Sequence, residues 1–199
     1  MESVGTFNQE LSGKLVVLLR ADMFLKPKRL YIYHLLMLLV PETSCFGLKR
    51  WLLRWCGATL GENVRICSSV KIYGVGKLTV GDDVWIGSGT WLNVSAKVIL
   101  GSHIDVAPQV YIGTGTHPID VKGLHSAGNG QNFDITIEDG VWLGARSMVM
   151  PNVTIGKKAI LGAGAVAINN IACNTIAVGM PAKSIKYIDG KSLGEGIAI

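Results

Sequence analysis

Charge is scarce in this chain of 199 residues: Asp, Glu, Lys and Arg together make up 17%, against 49% hydrophobic. That balance is the reverse of a disordered segment, which is poor in apolar residues and rich in charge. Cysteine occurs only at positions 45, 56, 67 and 173, with no C-x-x-C pair and no disulfide-framework spacing. The pattern excludes the common redox and zinc motifs and reads as reduced thiols of a cytoplasmic protein. Long apolar runs are missing too. The longest, Leu35–Val40, widens to about eleven residues if the preceding stretch from Leu30 is included, whereas a membrane-spanning helix needs about 20. Glu2 and Glu10 break any signal-peptide layout. The expectation is one soluble domain with an appendage, at most peripheral to a membrane.

Glycine is the excess, with 25 residues against 6 prolines, and the architecture must account for it. Net charge is +5 but unevenly spread. Residues 1–54 hold eight Lys/Arg against four acids, which leaves the remainder nearly neutral. A basic leader suits anionic lipid, nucleic acid or an acidic substrate. No groove of interleaved basic and aromatic residues follows it, so a nucleic-acid partner is not expected.

Repetition organises the rest. Large aliphatics fall at Leu60, Ile66, Ile72; then Val80, Ile86, Leu92; then Leu100, Val106, Ile112; and, after a gap, at Ile137, Leu143, Val149, Ile155, Leu161. A spacing of six fits neither a lone helix nor a lone strand. It fits a coil with three short flat faces, each sending one aliphatic inward, with Gly at the corners. Stacked coils then pair as parallel strands about 4.8 Å apart, and such a solenoid needs capped ends. Column A is Leu60, Val80, Leu100, Ile137 and Ile155; column B is Ile66, Ile86, Val106, Leu143 and Leu161; column C is Ile72, Leu92, Ile112 and Val149. Every extra residue follows column C, so the long insertion at 113–136 leaves from the same corner as the shorter excursions. Asn93 then lies one coil from the root of that loop.

The motifs Val80-Gly-Asp-Asp-Val-Trp-Ile-Gly87, Thr116-His-Pro118, Ile137-Glu-Asp-Gly-Val-Trp-Leu-Gly144, Leu161-Gly-Ala-Gly-Ala165 and Val178-Gly-Met-Pro-Ala-Lys183 together resemble the hexapeptide-repeat O-acetyltransferases, in the maltose/galactoside and polysaccharide-biosynthesis branch. The resemblance covers about residues 58–186. It implies a left-handed parallel β-helix, an exception to the usual right-handed crossover, assembled as a homotrimer with sites between subunits. It also implies acetyl-CoA as co-substrate and a hydroxyl of a sugar or glycan intermediate as acceptor. Serine acetyltransferase and a non-catalytic scaffold are the alternatives. The serine-specific Asp-Arg-His-Pro-Lys-Ile loop is absent, and the Thr-His-Pro loop argues against a scaffold. The domains expected are a helical N-terminal segment at 1–58 capping the solenoid, the solenoid at 59–180, and a tail at 181–199.

Within that resemblance His117 is the general base, a role suited to imidazole because its pKa lies near working pH. The Glu that relatives place in this loop is missing here, which leaves Asp120, Asp134 or a backbone carbonyl to orient the ring. Asn93 and Asp120 are the acceptor-binding candidates; for Asn93 the plainer alternative is a corner residue in left-handed conformation. Trp142, Gly144, Ala145, Gly162, Ala163, Lys183 and Lys186 are the candidates for holding CoA, with a backbone N–H at 143–145 for the oxyanion. The plainer readings are an interface tryptophan, packing glycines and solvated lysines. Relatives' Thr-Lys-Asp-Val-Pro-Pro-Asn is replaced by Ile168-Asn-Asn-Ile-Ala-Cys-Asn174, which removes one phosphate contact. Histidines at 34, 103, 117 and 125 do not match a three-His zinc site, so no metal is expected.

Residues 14–56 read as helical, broken at Pro27 and Pro41. Leu48, Trp51, Leu52 and Trp55 share one face, with Lys49, Arg50 and Arg54 turned away. That face covers the solenoid's open end, or alternatively contacts the inner face of a membrane.

Overall fold

The computed structural model describes residues 24–192. Two helices, α1 (Pro27–Met37) and α2 (Phe46–Trp55), precede a parallel β-solenoid. Its first sheet stacks β1 (Thr59–Leu60), β4 (Lys77–Val80), β7 (Lys97–Leu100), β12 (Ile135–Ile137) and β15 (Thr154–Ile155). The second stacks β2 (Arg65–Ile66), β5 (Trp85–Ile86), β8 (Asp105–Val106), β13 (Trp142–Leu143), β16 (Ile160–Leu161) and β18 (Thr175–Val178), closed by the antiparallel β19 (Lys183–Tyr187). The third stacks β3 (Lys71–Tyr73), β6 (Trp91–Asn93), β9 (Tyr111–Gly113), β14 (Met148–Val149) and β17 (Val166–Ala167).

The register puts Leu60, Val80, Leu100, Ile137 and Ile155 in one row. Ile66, Ile86, Val106, Leu143 and Leu161 form a second, and Ile72, Leu92, Ile112 and Val149 a third. These are the columns expected from the six-residue spacing. Each face is wider than one side chain, however. Val64, Val84, Ile104, Val141 and Ala159, two places before column B, are buried as well, because residues two apart on an extended segment point the same way. Each buried aliphatic contributes about 1.5–3 kcal/mol relative to exposure.

Backbone hydrogen bonds join each coil to the next along the stack. Arg65 N–H donates to Val84 O (2.8 Å), Trp85 to Ile104 (2.9 Å), Asp105 to Val141 (3.0 Å) and Trp142 to Ala159 (3.0 Å). The first coil therefore has an unpaired edge, and such edges are aggregation-prone unless covered. The helices supply side chains to it. Arg54 Nη2 donates to Leu60 O (2.9 Å) and Gly61 O (3.0 Å), Arg50 Nη1 donates to Val64 O (3.2 Å), and Ile72 N–H donates to His34 Nε2 (3.1 Å). An accepting His34 is neutral, in keeping with a pKa lowered chiefly by burial and further by Lys71. Lys49 donates to Pro41 O (2.9 Å) and Glu42 O (2.8 Å), closing the turn between the helices.

This departs in part from the orientation expected for α2, although Leu52 is buried as expected. Lys49 is fully buried beside Leu52 and Leu53, whereas Leu48 and Trp51 face solvent. Lys49 turns inward to the carbonyls of Pro41 and Glu42, and Arg50 and Arg54 to those of the first coil, since an unsatisfied buried polar group costs about 1–3 kcal/mol. Trp85 is half-buried. It packs edge-on against Phe46 at 6.0 Å and beneath the Arg65 guanidinium at 5.4 Å. At the far end, Lys183 and Lys186 lie on β19, hydrogen-bonded to β18, and not on a free tail. Of the segment expected to be helical, residues 14–23 lie outside the described residues.

Arg54→Ala leaves two edge carbonyls without their donor. It is expected to lower the unfolding free energy by about 1–3 kcal/mol, read as a lower urea midpoint at unchanged slope. An unchanged midpoint would show that the cap does not depend on this contact.

Candidate functional site

Two groups of residues emerge, at different corners of the prism. The first is built on the arm between β9 and β12. The arm opens as a short hairpin, β10 (Gly115–Thr116) against β11 (Gln131–Asn132), with Gly115 opposite Asn132 and Thr116 opposite Gln131. Beyond it Gly128 N–H donates to Pro118 O (2.9 Å) and Asp120 N–H to Ser126 O (2.9 Å). His117 follows the hairpin directly. Its Nδ1 lies 2.7 Å from Gly128 O. A carbonyl only accepts, so Nδ1 carries the hydrogen and Nε2 of the neutral ring holds the free lone pair. The orienting group that no loop Glu could provide is a main-chain carbonyl. Only the hairpin pairing locates it, because every residue type carries that group.

The Asp120 carboxylate accepts from Lys122 N–H and Gly123 N–H, both 2.9 Å, forming a turn at the arm's tip. Those two backbone bonds hold its pKa below the ordinary carboxylate value. Asp134 bridges to Lys97 Nζ at 3.2 Å and accepts from Lys97 N–H at 3.0 Å, which ties the arm's return to β7. Asn93 ends β6 directly below Gly113, in extended and not left-handed conformation. Its carbonyl accepts the Thr114 N–H (3.1 Å) and hydroxyl (3.0 Å) at the arm's root. Its side-chain oxygen accepts from Ser95 Oγ at 3.2 Å.

The second group shares the second sheet and the corner after it. Trp142 stands exposed at 51% on β13. Its row continues through Ile160 and Ile176 to Lys186, and the row of Gly144 continues through Gly162 and Val178 to Lys183. Three strand spacings make each row about 14 Å long. Gly144 and Gly162 give their N–H groups to the ladder, at Leu161 O (2.7 Å) and Ala177 O (2.8 Å). They serve here by being small. A Cβ on Gly144 would meet Ala163 N at 2.6 Å, and one on Gly162 would meet Val178 at 2.7 Å. Ala145 and Ala163, the next residue on each coil, are exposed, and no backbone or side-chain acceptor takes their N–H groups. Of the N–H groups at 143–145 considered for an oxyanion, Ala145 is thus the candidate and Gly144 is not.

One chain does not bring the two groups together. The arm leaves between the third and first sheets, whereas Ala145 and Ala163 lie between the second and third. A full sheet width separates them, on the order of 15 Å for a five-residue face. Among the described residues no group of three His, Cys, Asp or Glu is placed to hold a metal ion.

Comparison with known proteins follows the same lines. The family described as bacterial transferase hexapeptide (six repeats) matches residues 134–168. A protein of Schizosaccharomyces pombe named as an acetyltransferase is 42% identical over 51% of this chain and 48% of its own length. The Escherichia coli protein WcaF, named for acetylation in colanic acid biosynthesis, is 35% identical over 70% of this chain and 76% of its own. The galactoside O-acetyltransferase of Escherichia coli is 29% identical over 67% and 66%. Against the S. pombe protein, then, this chain spans about half the relative's length. A hexapeptide-repeat acetyltransferase structure from Vibrio cholerae superposes over 81% of this chain and 90% of its own, with a TM-score of 0.65 at 19% identity. A maltose O-acetyltransferase structure from Clostridium difficile superposes over 81% and 85%, with a TM-score of 0.58 at 25% identity.

The arm's tip gives a pH test. A depressed carboxylate pKa stabilises the turn fully above the unfolded value of about 3.9, and that support is lost as pH falls through the folded value. Amide exchange at Lys122 and Gly123, corrected for intrinsic rate, is expected to accelerate on acidification and to be fast already at neutral pH in Asp120→Ala. Equal protection in the variant would remove the turn from the arm's design.

Proposed function

This chain belongs to the hexapeptide-repeat acetyltransferases, and from that premise we propose that it moves an acetyl group from acetyl-CoA to a hydroxyl of a sugar or glycan intermediate, directly and with His117 as general base. The observation that carries this function is the 2.7 Å contact between His117 Nδ1 and Gly128 O. It fixes the tautomer whose Nε2 accepts a proton, on an exposed arm where an acceptor can approach. The names of WcaF and of the galactoside and maltose enzymes favour a sugar acceptor over serine.

In this mechanism Nε2 takes the acceptor's hydroxyl proton as the oxygen attacks the thioester carbonyl. The tetrahedral oxyanion receives an N–H from the exposed row, with Ala145 the best-placed donor. The C–S bond then breaks, and the imidazolium returns its proton to the leaving thiolate. No acyl-enzyme forms, because the arm offers a base and not an activated nucleophile. Trp142 flanks the pantetheine arm, Gly144 and Gly162 allow it to approach the backbone, and Lys183 and Lys186 meet phosphate as point charges. Asn93 and Asp120 bind the acceptor side.

Because arm and donor row occupy different corners, a complete site needs the arm of one copy beside the row of another. The arm's tip suits that contact, since Ile119, Val121 and Leu124 are almost wholly exposed, and exposed apolar clusters mark interfaces. A homotrimer closes such a head-to-tail arrangement. Light scattering is expected to give three times the 21.3 kDa chain mass; a monomer of full activity would defeat this arrangement.

General-base loss costs roughly 10²–10⁴-fold in rate. His117→Ala is expected to lower kcat by that order while leaving CoA affinity near wild type, and Asn93→Ala to raise mainly the acceptor KM. The assay is thiol release from acetyl-CoA with a panel of sugars and serine. A His117→Ala enzyme retaining most of its kcat, or an acetylated protein accumulating without acceptor, would refute the mechanism.

A further inference from the structure

The cap leaves an outer face that the solenoid does not use. On α1 the inward positions are Leu30, Tyr33 and Met37; on α2 they are Lys49, Leu52 and Leu53. The helices lie antiparallel, pinned where Arg29 donates to Trp55 O at 2.8 Å and sits 4.8 Å over the Trp55 ring. Their opposite sides therefore form one surface, carrying Tyr31, Leu35, Leu38, Leu39, Leu48 and Trp51. Leu39 is exposed at 84%, Leu38 at 75%, Tyr31 at 67% and Trp51 at 63%. Large apolar residues exposed contiguously at this level are a docking feature.

Charge decides the occupant. Residues 24–56 carry six Lys/Arg, at 26, 28, 29, 49, 50 and 54, against the single acid Glu42. Glu42 is turned into the cap, where it accepts from Ser69 Oγ (2.5 Å) and Ser69 N–H (3.1 Å). Lys26 and Lys28 stand exposed where α1 begins, at one end of the apolar surface. A face of Leu and Trp under a net positive field, with basic groups at its rim, is complementary to an anionic lipid surface. A second copy of the chain would bring the same positive charge against itself. No helix among the described residues is long and apolar enough to cross a membrane, so the contact is interfacial.

We propose that the outer face of the α1–α2 cap docks the protein on anionic membranes, with Trp51, Leu38 and Leu39 entering the headgroup boundary and Lys26 and Lys28 meeting lipid phosphates. The site at His117 lies on the arm between β9 and β12, two coils along the stack from the capped edge, so the docked face and the site are separate surfaces.

The experiment is flotation of the full chain with vesicles of phosphatidylcholine alone or with phosphatidylglycerol added, monitored by tryptophan emission. The expected result is binding to the mixed vesicles with a blue shift, weakened by salt, and at most weak binding to pure phosphatidylcholine. Trp51→Asp with Leu39→Asp is expected to lower partitioning at least tenfold, and Lys26→Glu with Lys28→Glu to lower it several-fold, both with unchanged melting temperature. Thiol release with a soluble acceptor is expected to stay at wild-type level in both variants. Failure of the wild-type chain to float with phosphatidylglycerol vesicles overturns the proposal. So does equal flotation of all three proteins, or a drop in oligomer mass in Trp51→Asp/Leu39→Asp, which would assign the face to contacts between copies. If an unstable first variant loses binding, the lysine pair decides alone.

Discussion

The parallel hydrogen-bond ladder between successive coils is the constraint on which the rest of this molecule depends. Every coil donates N–H groups to the next, as from Arg65 to Val84 and from Trp142 to Ala159. This locks the three apolar rows into register and makes the core a stack of near-identical layers. It also sorts the backbone into two populations. Amides on the flat faces are consumed by the ladder, and at the corner after column B those of Ala145 and Ala163 are left over. Gly144 and Ala145 are neighbours in sequence and fall on opposite sides of that division. The solenoid thus keeps two free, outward N–H groups, of Ala145 and Ala163, without any special loop.

The same ladder creates the cap. A parallel stack cannot satisfy its own first edge, and the helices that cover it must bring donors and acceptors. Arg50, Arg54 and His34 do so, and Lys49 braces the turn that holds them. The cost is a helix pair that gives part of its inner face to polar donors and leaves much of its apolar surface in solvent. The outer surface of Tyr31, Leu38, Leu39 and Trp51 is in this sense a consequence of capping, available for a second use.

The division between what the sequence revealed and what it did not follows the same line. The six-residue spacing located the three columns, the arm's corner and the juxtaposition of Asn93 with the arm's root, because burial imposes a periodicity that survives in side-chain type. The second inward residue of each face, such as Val64 or Ile104, was overlooked because the large aliphatics two places later dominate the pattern. The cap's orientation could not be read from helical periodicity. Leu48, Trp51 and Trp55 form a clean apolar stripe, and only the turn carbonyls of Pro41 and Glu42 explain why Lys49 is buried instead. The group that orients His117 was equally illegible, since a carbonyl at Gly128 leaves no mark in residue type.

The separation of the arm from the donor row completes the argument. Within one chain His117 and the free N–H groups stand a sheet width apart, because the arm grows from the corner after column C and the row from the corner after column B. Both positions are dictated by the coil. Insertions are tolerated after column C, where the first two coils already carry two extra residues each, whereas the corner after column B must stay tight for Gly144 and Gly162 to pack against the next layer. A prism of this kind can neither move the row toward the arm nor fold the arm back across a face lined with stacked strands. Chemistry that needs both groups is then possible only between copies. The length of the hairpin and its apolar tip at Ile119, Val121 and Leu124 are what such a contact requires: enough reach to leave one prism, and enough apolar surface to settle on the next.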